Sequence, residues 1–287
     1  IAESDVYGFQ GAFVFNVSEA SVHGAQAAYV FNTCAGPLYG AQLSYVFNVS
    51  GGGGPLQSSA VFNVSNGSFS GVQLGGVFNV VNGTMNGVQA SAILNVADNL
   101  NGMQIGLINV ADSAIGLQLG LINIVKDGIN DLGIWYDQSE HSYAFLQKGR
   151  KHLYSILYAG APAEDWFETS DNLSVGAGLG LRAGGRQKWE TALDLDVSAK
   201  GSLDLDALHT AIENESEYIP DLYPSIRASL RLPIGMSLAI HGGVILETEW
   251  ENGPKVDDYF RTSDPLNYEI MKTDITFYPK WFIGISL

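Results

Sequence analysis

GVQLGGVFNV, residues 71–80, is one of eight near-copies that fill the first 125 residues. Each copy sets a Gln ahead of an Asn. The Gln row is Gln10, Gln26, Gln42, Gln57, Gln73, Gln89, Gln104 and Gln118; the Asn row is Asn16, Asn32, Asn48, Asn63, Asn79, Asn95, Asn109 and Asn123. Six residues lead from Gln to Asn in the first six copies and five in the last two, and copies recur every 14 to 16 residues. So short a period means a stacked or meandering β architecture in which each copy buries its apolar side on its neighbours. Val, Phe, Asn and Gly dominate without a 3.6-residue period, which excludes helix.

A strand period of two puts Val72, Leu74, Gly76, Phe78 and Val80 on one face and Gln73, Gly75, Val77 and Asn79 on the other. Four residues before Gln another apolar residue recurs, as at Val6, Val22, Leu38, Phe69, Met85 and Leu100. Turn formers such as Asn66-Gly67 and Asn82-Gly83 separate the copies. Two architectures fit. In a solenoid each copy is a coil of two short strands and two corners, with Gln stacked on Gln and Asn on Asn in hydrogen-bonded ladders. In a meander each copy is one strand of about 9–10 residues, long enough to cross a membrane. The one-residue shortening of the last copies favours the solenoid: a corner absorbs it, whereas a membrane strand would exchange its lipid and lumen faces.

From residue 131 the pattern changes. Leu173, Val175, Ala177, Leu179 and Leu181 share a face, and Leu193, Leu195 and Val197 oppose Glu190, Asp194 and Asp196. Ile226, Ala228 and Leu230 oppose Arg227 and Arg231. Eight such strands are predicted, near 131–137, 142–148, 151–160, 173–184, 187–198, 223–233, 236–248 and 278–287. Tight connections at 148–151, 184–187 and 233–236 alternate with long acidic ones at 161–172, 199–222 and 249–277, the signature of an outer-membrane barrel. Eight strands enclose only enough room for their own side chains. Arg182, Arg227 and Arg231 are therefore expected to pair inside with Glu190, Asp194 and Asp196 as a plug. Because the first barrel strand starts on the tight-turn side, the repeats are expected to be periplasmic.

The fold class predicted is all-β: a solenoid-like repeat region at 1–127 and an eight-stranded antiparallel outer-membrane barrel at 131–287. Its alternative is one larger barrel of about 16 strands, with the repeats supplying half of them. Composition narrows the function. Net charge is −16, which argues against nucleic acid. No Lys or Arg precedes Lys126, and residues 1–125 hold only Glu3, Asp5, Glu19, Asp98 and Asp112 as acids. Cys34 stands alone, so no intrachain disulfide or cysteine-based metal cluster forms. No apolar run reaches the roughly 20 residues of a membrane helix. Ile1 is not an initiator residue, and a processed, exported chain is expected.

The copies at 87–96 (GVQASAILNV), 102–111 (GMQIGLINVA) and 116–124 (GLQLGLINI), the exit INIVKDGINDLGIWYDQ at 122–138 and the strand LSVGAGLGLRAG at 173–184 resemble a family of bacterial surface-repeat proteins of spirochaetes and Bacteroidetes-type bacteria. The resemblance implies an exported, envelope-associated β protein and carries no chemistry with it. Copies one to four depart from the tidy phrase at Thr33-Cys34 and Gly51–Gly54.

Site chemistry is sparse. His23, His141, His152, His209 and His241 show no metal-ligand spacing. Ser237, His241 and Glu247 form an imaginable triad, but Ser237 and His241 lie about 13 Å apart along one strand, too far for a nucleophile and its base. Gly176-Ala-Gly178-Leu-Gly180 leads into more strand rather than a helix, which argues against a phosphate loop. Tyr218, Tyr223, Trp250, Tyr259, Phe260 and Tyr268 sit among acids in the long connections and are read as a partner surface or as cover for the barrel mouth. The sequence therefore predicts a non-enzymatic outer-membrane scaffold without cofactor or metal. Its partners are outer-membrane lipid and other envelope proteins, docked through the repeats or the long loops. A transport pore and a lipid-modifying barrel enzyme are the rivals.

Overall fold

The structure is a computed structural model that describes residues 1–163, 172–185, 190–204, 209–211, 213, 222–234, 238–250, 256, 265–270 and 273–287. The chain divides into two compact units, Ile1–Gly128 and Ile129–Leu287.

The first unit is a solenoid of eight coils. Coils one to four contribute β1 (Val6–Ala12), β2 (Phe15–Ser18), β3 (Val22–Ala28), β4 (Phe31–Cys34), β5 (Leu38–Ser44), β6 (Phe47–Ser50), β7 (Gly53–Ser59) and β8 (Phe62–Ser65). Coils five to eight follow as β9 (Phe69–Gly75), β10 (Phe78–Ser91), β11 (Leu94–Ile105), β12 (Ile108–Ala114), β13 (Leu117–Leu119) and β14 (Ile122–Val125). Every pairing is parallel and keeps like residues side by side, with Gln73 beside Gln57 and Gln89, and Asn79 beside Asn63 and Asn95; β10 and β11 shift register once, between Val81 and Thr84. These pairings use both edges of the inner coils, so no repeat strand is left to enlarge a barrel, and the single barrel of about 16 strands does not form.

Gln73 and Asn79 both point inward because the chain turns a corner at Gly76-Val77; the straight-strand grouping of Val77 with them fails there. In the two shortened copies the strand ends one residue earlier, at Ile105 and Leu119, and the corner keeps its length. Beyond the opposite corner the interior is apolar, with Val22, Leu38, Phe69, Met85 and Leu100 packed on Cys34, Val81, Ala97 and Ala111. Two places before Gln the residue is glycine in every copy but the fourth, where Pro55 stands, and in the inner coils this position packs closely on the coil below. Gly87 has φ 135°, and a Cβ there would stand 2.0 Å from the carbonyl oxygen of Gly71 in the coil below.

The second unit is a closed antiparallel barrel of β15 (Ile129–Asp137), β16 (His141–Gly149), β17 (Leu153–Pro162), β18 (Asn172–Gly184), β19 (Ala192–Asp204), β20 (Leu222–Pro233), β21 (Ala239–Trp250) and β23 (Thr273–Ser286). It closes where Gly133 of β15 meets Ser286 of β23. β22 (Leu266–Ile270) forms a hairpin with β23 beyond the barrel wall. Several strands run longer than their sequence pattern showed: β19 reaches Asp204 and β23 begins at Thr273. Glycines admit the interior aromatics. Gly176 and Gly180 lie opposite Tyr158 and Tyr154, and a Cβ at either would fall within 2.1 or 2.3 Å of the ring.

Candidate functional site

Two arrangements dominate the molecule: the amide ladders of the solenoid and the charged interior of the barrel. In the Asn row each Nδ2 donates to the Oδ1 of the next coil, from Asn16 to Asn32 (2.8 Å) through Asn79 to Asn95 (3.0 Å) and on to Asn109 and Asn123 (2.9 Å). The same Nδ2 also donates to a backbone carbonyl in the following coil, as from Asn79 to Ala90 (2.8 Å). Asn thus pins the corner of its neighbour. The Gln row runs the other way: Gln26 donates to Gln10 (2.7 Å), Gln73 to Gln57 (2.7 Å) and Gln118 to Gln104 (2.8 Å). Gln also ties the two sheets of its own coil, as from Gln89 Nε2 to the Val96 carbonyl (3.1 Å). From Gln26 to Gln104 and from Asn32 to Asn109 these side chains are fully buried. Ladders this enclosed offer nothing to a dissolved ligand.

Cys34 is buried, and desolvation pushes its thiol up to about 11 against the pull of the Gly51 backbone. It occupies a position that is Ser18, Ser50 or Ser65 in neighbouring coils.

Inside the barrel the charges form three tiers. Toward the tight turns, Arg182 grips Asp194 with two bonds of 2.7 Å and reaches Asp131 at 2.9 Å. Arg231 stands 3.7 Å from the same Asp131. At mid-height Arg227 pairs with Asp196 at 2.9 Å, and its guanidinium lies 4.8 Å from the Trp135 ring centre and 5.4 Å from that of Phe282. Toward the long connections, Glu247 bridges Lys200 and Lys280, each at 2.5 Å. All of these side chains are buried. A cavity of about 10 Å³ near Trp135, Lys200 and Arg227 holds one water at most.

The structure gathers Arg182, Arg227, Arg231, Asp194 and Asp196 in this interior. Glu190 lies before β19 and is exposed, so it stands outside the group; the strand begins at Ala192 rather than near 187. Sequence reading missed Asp131, Lys200 and Lys280 as members. Continuing the period of two from Asp196 through Ser198 to Lys200 would have found one of them.

His241 requires a correction. Its Nε2 lies 2.6 Å from Ser286 Oγ, a hydroxyl 45 residues away that strand closure brings alongside. Ser237 is outside the described residues, and Glu247 is committed to the two lysines. Among the described residues His241 Nδ1 has no hydrogen-bond partner and no acid orients the imidazole, and both side chains are buried. The contact is a packed Ser–His pair rather than an assembled triad. Among the described residues no group of His, Cys, Asp and Glu is arranged to hold a metal.

Tyr223 is not a surface aromatic: it is buried on β20 with Tyr278 and Val256. Glu249 accepts from the Tyr278 hydroxyl (3.0 Å) and from the Val256 backbone (3.1 Å). Tyr218, Tyr259 and Phe260 lie outside the described residues, as do the side chains of Trp250 and Tyr268.

On the outer wall the alternation delivers exposed Leu132, Leu181, Leu193, Leu195, Val197, Leu230, Val244, Trp281 and Ile283. Ile134, Tyr136, Ile240, Ile283 and Ile285 border a groove of about 510 Å³ there.

These features define a class by architecture, a parallel β-solenoid joined in one chain to a closed eight-stranded barrel. No protein-family model, curated protein or solved structure matches the chain.

Proposed function

We propose that the protein is a non-enzymatic outer-membrane protein in which the barrel is the anchor and the solenoid is a scaffold for other components of the envelope. One observation carries this reading: the barrel is apolar outside and charged inside. Leu193, Leu195 and Val197 are about half exposed, while Asp194 and Asp196 between them on β19 are buried. Water-soluble packing has the opposite sense. A closed barrel leaves no unpaired edge, so all of its wall amides tolerate hydrocarbon. The three tiers of buried ion pairs cross the lumen and favour an anchor over a conducting pore. The His241–Ser286 pair, buried and without an orienting acid among the described residues, favours a structural role over hydrolysis. The repeat phrase and its exit at 122–138 support membership of the surface-repeat family.

The test is reconstitution of the full chain into lipid vesicles. Heat-modifiable gel mobility, no channel conductance in planar bilayers, and lipid A left unchanged by both the parent and His241→Ala are expected. A chain that stays in the aqueous phase, conducts ions or modifies lipid in a His241-dependent way overturns the reading.

A further inference from the structure

The outer surface of the solenoid is divided along its length. All five acids of residues 1–125 sit on one corner. Glu19, Asp98 and Asp112 each follow their coil's Asn by three residues, Asp5 precedes Gln10 by five, and Glu3 lies just before it. Asn66, Ser68, Asn82 and Thr84 continue this polar corner through the middle coils. The opposite corner, with the two faces flanking it, is apolar. In each coil the span runs from the residue before Gln to the residue after Asn, for example 41–49, 72–80 and 117–124. Its outward side chains carry no charge. Thr33, Ser58 and the hydroxyls of Tyr29 and Tyr45 are the polar groups on it. Tyr29 (59% exposed), Tyr45 (60%), Ile93 (46%) and Leu107 (46%) stand at the corner itself.

We propose that this apolar corner seats in a lipid surface, with the solenoid axis lying along it and the acid-bearing corner left in water. Size and shape select the occupant. Eight coils at about 4.8 Å spacing run about 34 Å, and the apolar contour of each spans about 26 Å. The product, near 900 Å², exceeds the roughly 300–600 Å² of the largest apolar patch on an ordinary monomer. It is also folded around a convex corner. A flat partner such as a second copy covers one flanking face, about half of that area, short of the roughly 800 Å² per partner of a stable interface. Fluid acyl chains cover both faces and the corner together. The backbone permits it: inner coils spend their amides on the coils before and after, so a wall of the solenoid meets lipid without unpaired N–H groups. The boundary of charge then marks the waterline, as on an interfacial amphipathic helix.

The test uses the full chain in phosphatidylcholine nanodiscs at one copy per disc. Cys34→Ser supplies a background that matches the serines of neighbouring coils. Single cysteines enter at Val46, Val61 and Val77 on the apolar corner, at Ser68 and Asn82 on the polar one, and at Leu195 on the barrel wall. Each is labelled with a small fluorophore and quenched either by doxyl-labelled lipid or by aqueous iodide. The corner dyes should be quenched several-fold more by lipid than the Ser68 and Asn82 dyes, with iodide giving the reverse order. Equal iodide quenching at both corners overturns the proposal. So does protection from both quenchers accompanied by Val61–Val61 cross-linking between copies when more than one occupies a disc, since a second copy is then the occupant. The Leu195 dye reports the barrel separately: if it alone escapes lipid, the anchor reading fails while the solenoid result stands.

Discussion

Replacing Asn79 with Leu removes one link from a ladder whose direction is fixed. Asn79 Oδ1 accepts from Asn63 at 2.9 Å, and its Nδ2 donates to Asn95 Oδ1 at 3.0 Å and to the Ala90 carbonyl at 2.8 Å. Asn63 keeps its bond to the Leu74 carbonyl (2.8 Å), so its amide stays partly satisfied. Asn95 Oδ1 is stranded in a site without solvent exposure. The stranded acceptor costs about 1–3 kcal/mol and the lost Ala90 bond about 1 more, giving about 2–4 kcal/mol. Asn123 is the informative contrast. It ends the row, and its donor Asn109 keeps bonds to Gly106 and Leu119, so Asn123→Leu strands no Asn of the row. Its cost should stay near 1 kcal/mol. The opposite end behaves differently: Asn16→Leu strands Asn32 Oδ1 and should resemble Asn79→Leu. Tryptophan is absent before Trp135, so fluorescence in urea follows the barrel alone while hydrogen exchange over residues 69–105 follows the solenoid. An Asn123→Leu cost equal to that of Asn79→Leu, or an Asn79→Leu effect below about 0.5 kcal/mol, would refute the polarity of the ladder.

The Gln row runs oppositely, so Gln10→Leu should be milder than Gln73→Leu by the same exchange measurement. Gly180→Val drives a side chain into the Tyr154 ring and should lower barrel stability by about 1–3 kcal/mol, read by tryptophan fluorescence in urea. Asp194→Leu takes from Arg182 its doubly bonded partner and should cost the barrel about 3–5 kcal/mol; a neutral outcome contradicts the paired interior. Cys34 should resist maleimide at pH 8 until the solenoid unfolds. Because the folded state raises its thiol from 9.0 to about 11, its stabilising contribution is present below pH 9 and lost as pH climbs from 9 to 11. Cys34→Ser should abolish that alkaline loss.

Most of the architecture was legible because two periodicities announce it. Recurrence of Gln and Asn every 14 to 16 residues marks the register of a parallel stack, and alternation with asymmetric turns marks a barrel. What escaped was long-range. The closure that sets Ser286 against His241 joins residues 45 apart, and no local pattern encodes it. Asp131 meets Arg182 across 51 residues of sequence. Corners hid the true faces in the repeats, since a turn at Gly76-Val77 sends Val77 outward while Gln73 and Asn79 both point in. Glu190 was drawn into the interior by extending an alternation past the end of its strand. Tyr223 sits at the boundary of the 199–222 connection and the 223–233 strand, where sequence alone does not separate a loop aromatic from the first buried, inward-facing residue of β20.

The central claim is that the barrel wall faces hydrocarbon. Spin labels placed singly at residues 193 to 198 in vesicle-reconstituted full chain test it by comparing access to oxygen, which concentrates in lipid, with access to a water-soluble nickel chelate. Positions 193, 195 and 197 should show high oxygen and low nickel access, with 194, 196 and 198 shielded from both. Nickel access at 193, 195 and 197 equal to that of a solvent-exposed loop, or no alternation at all, would contradict a membrane anchor.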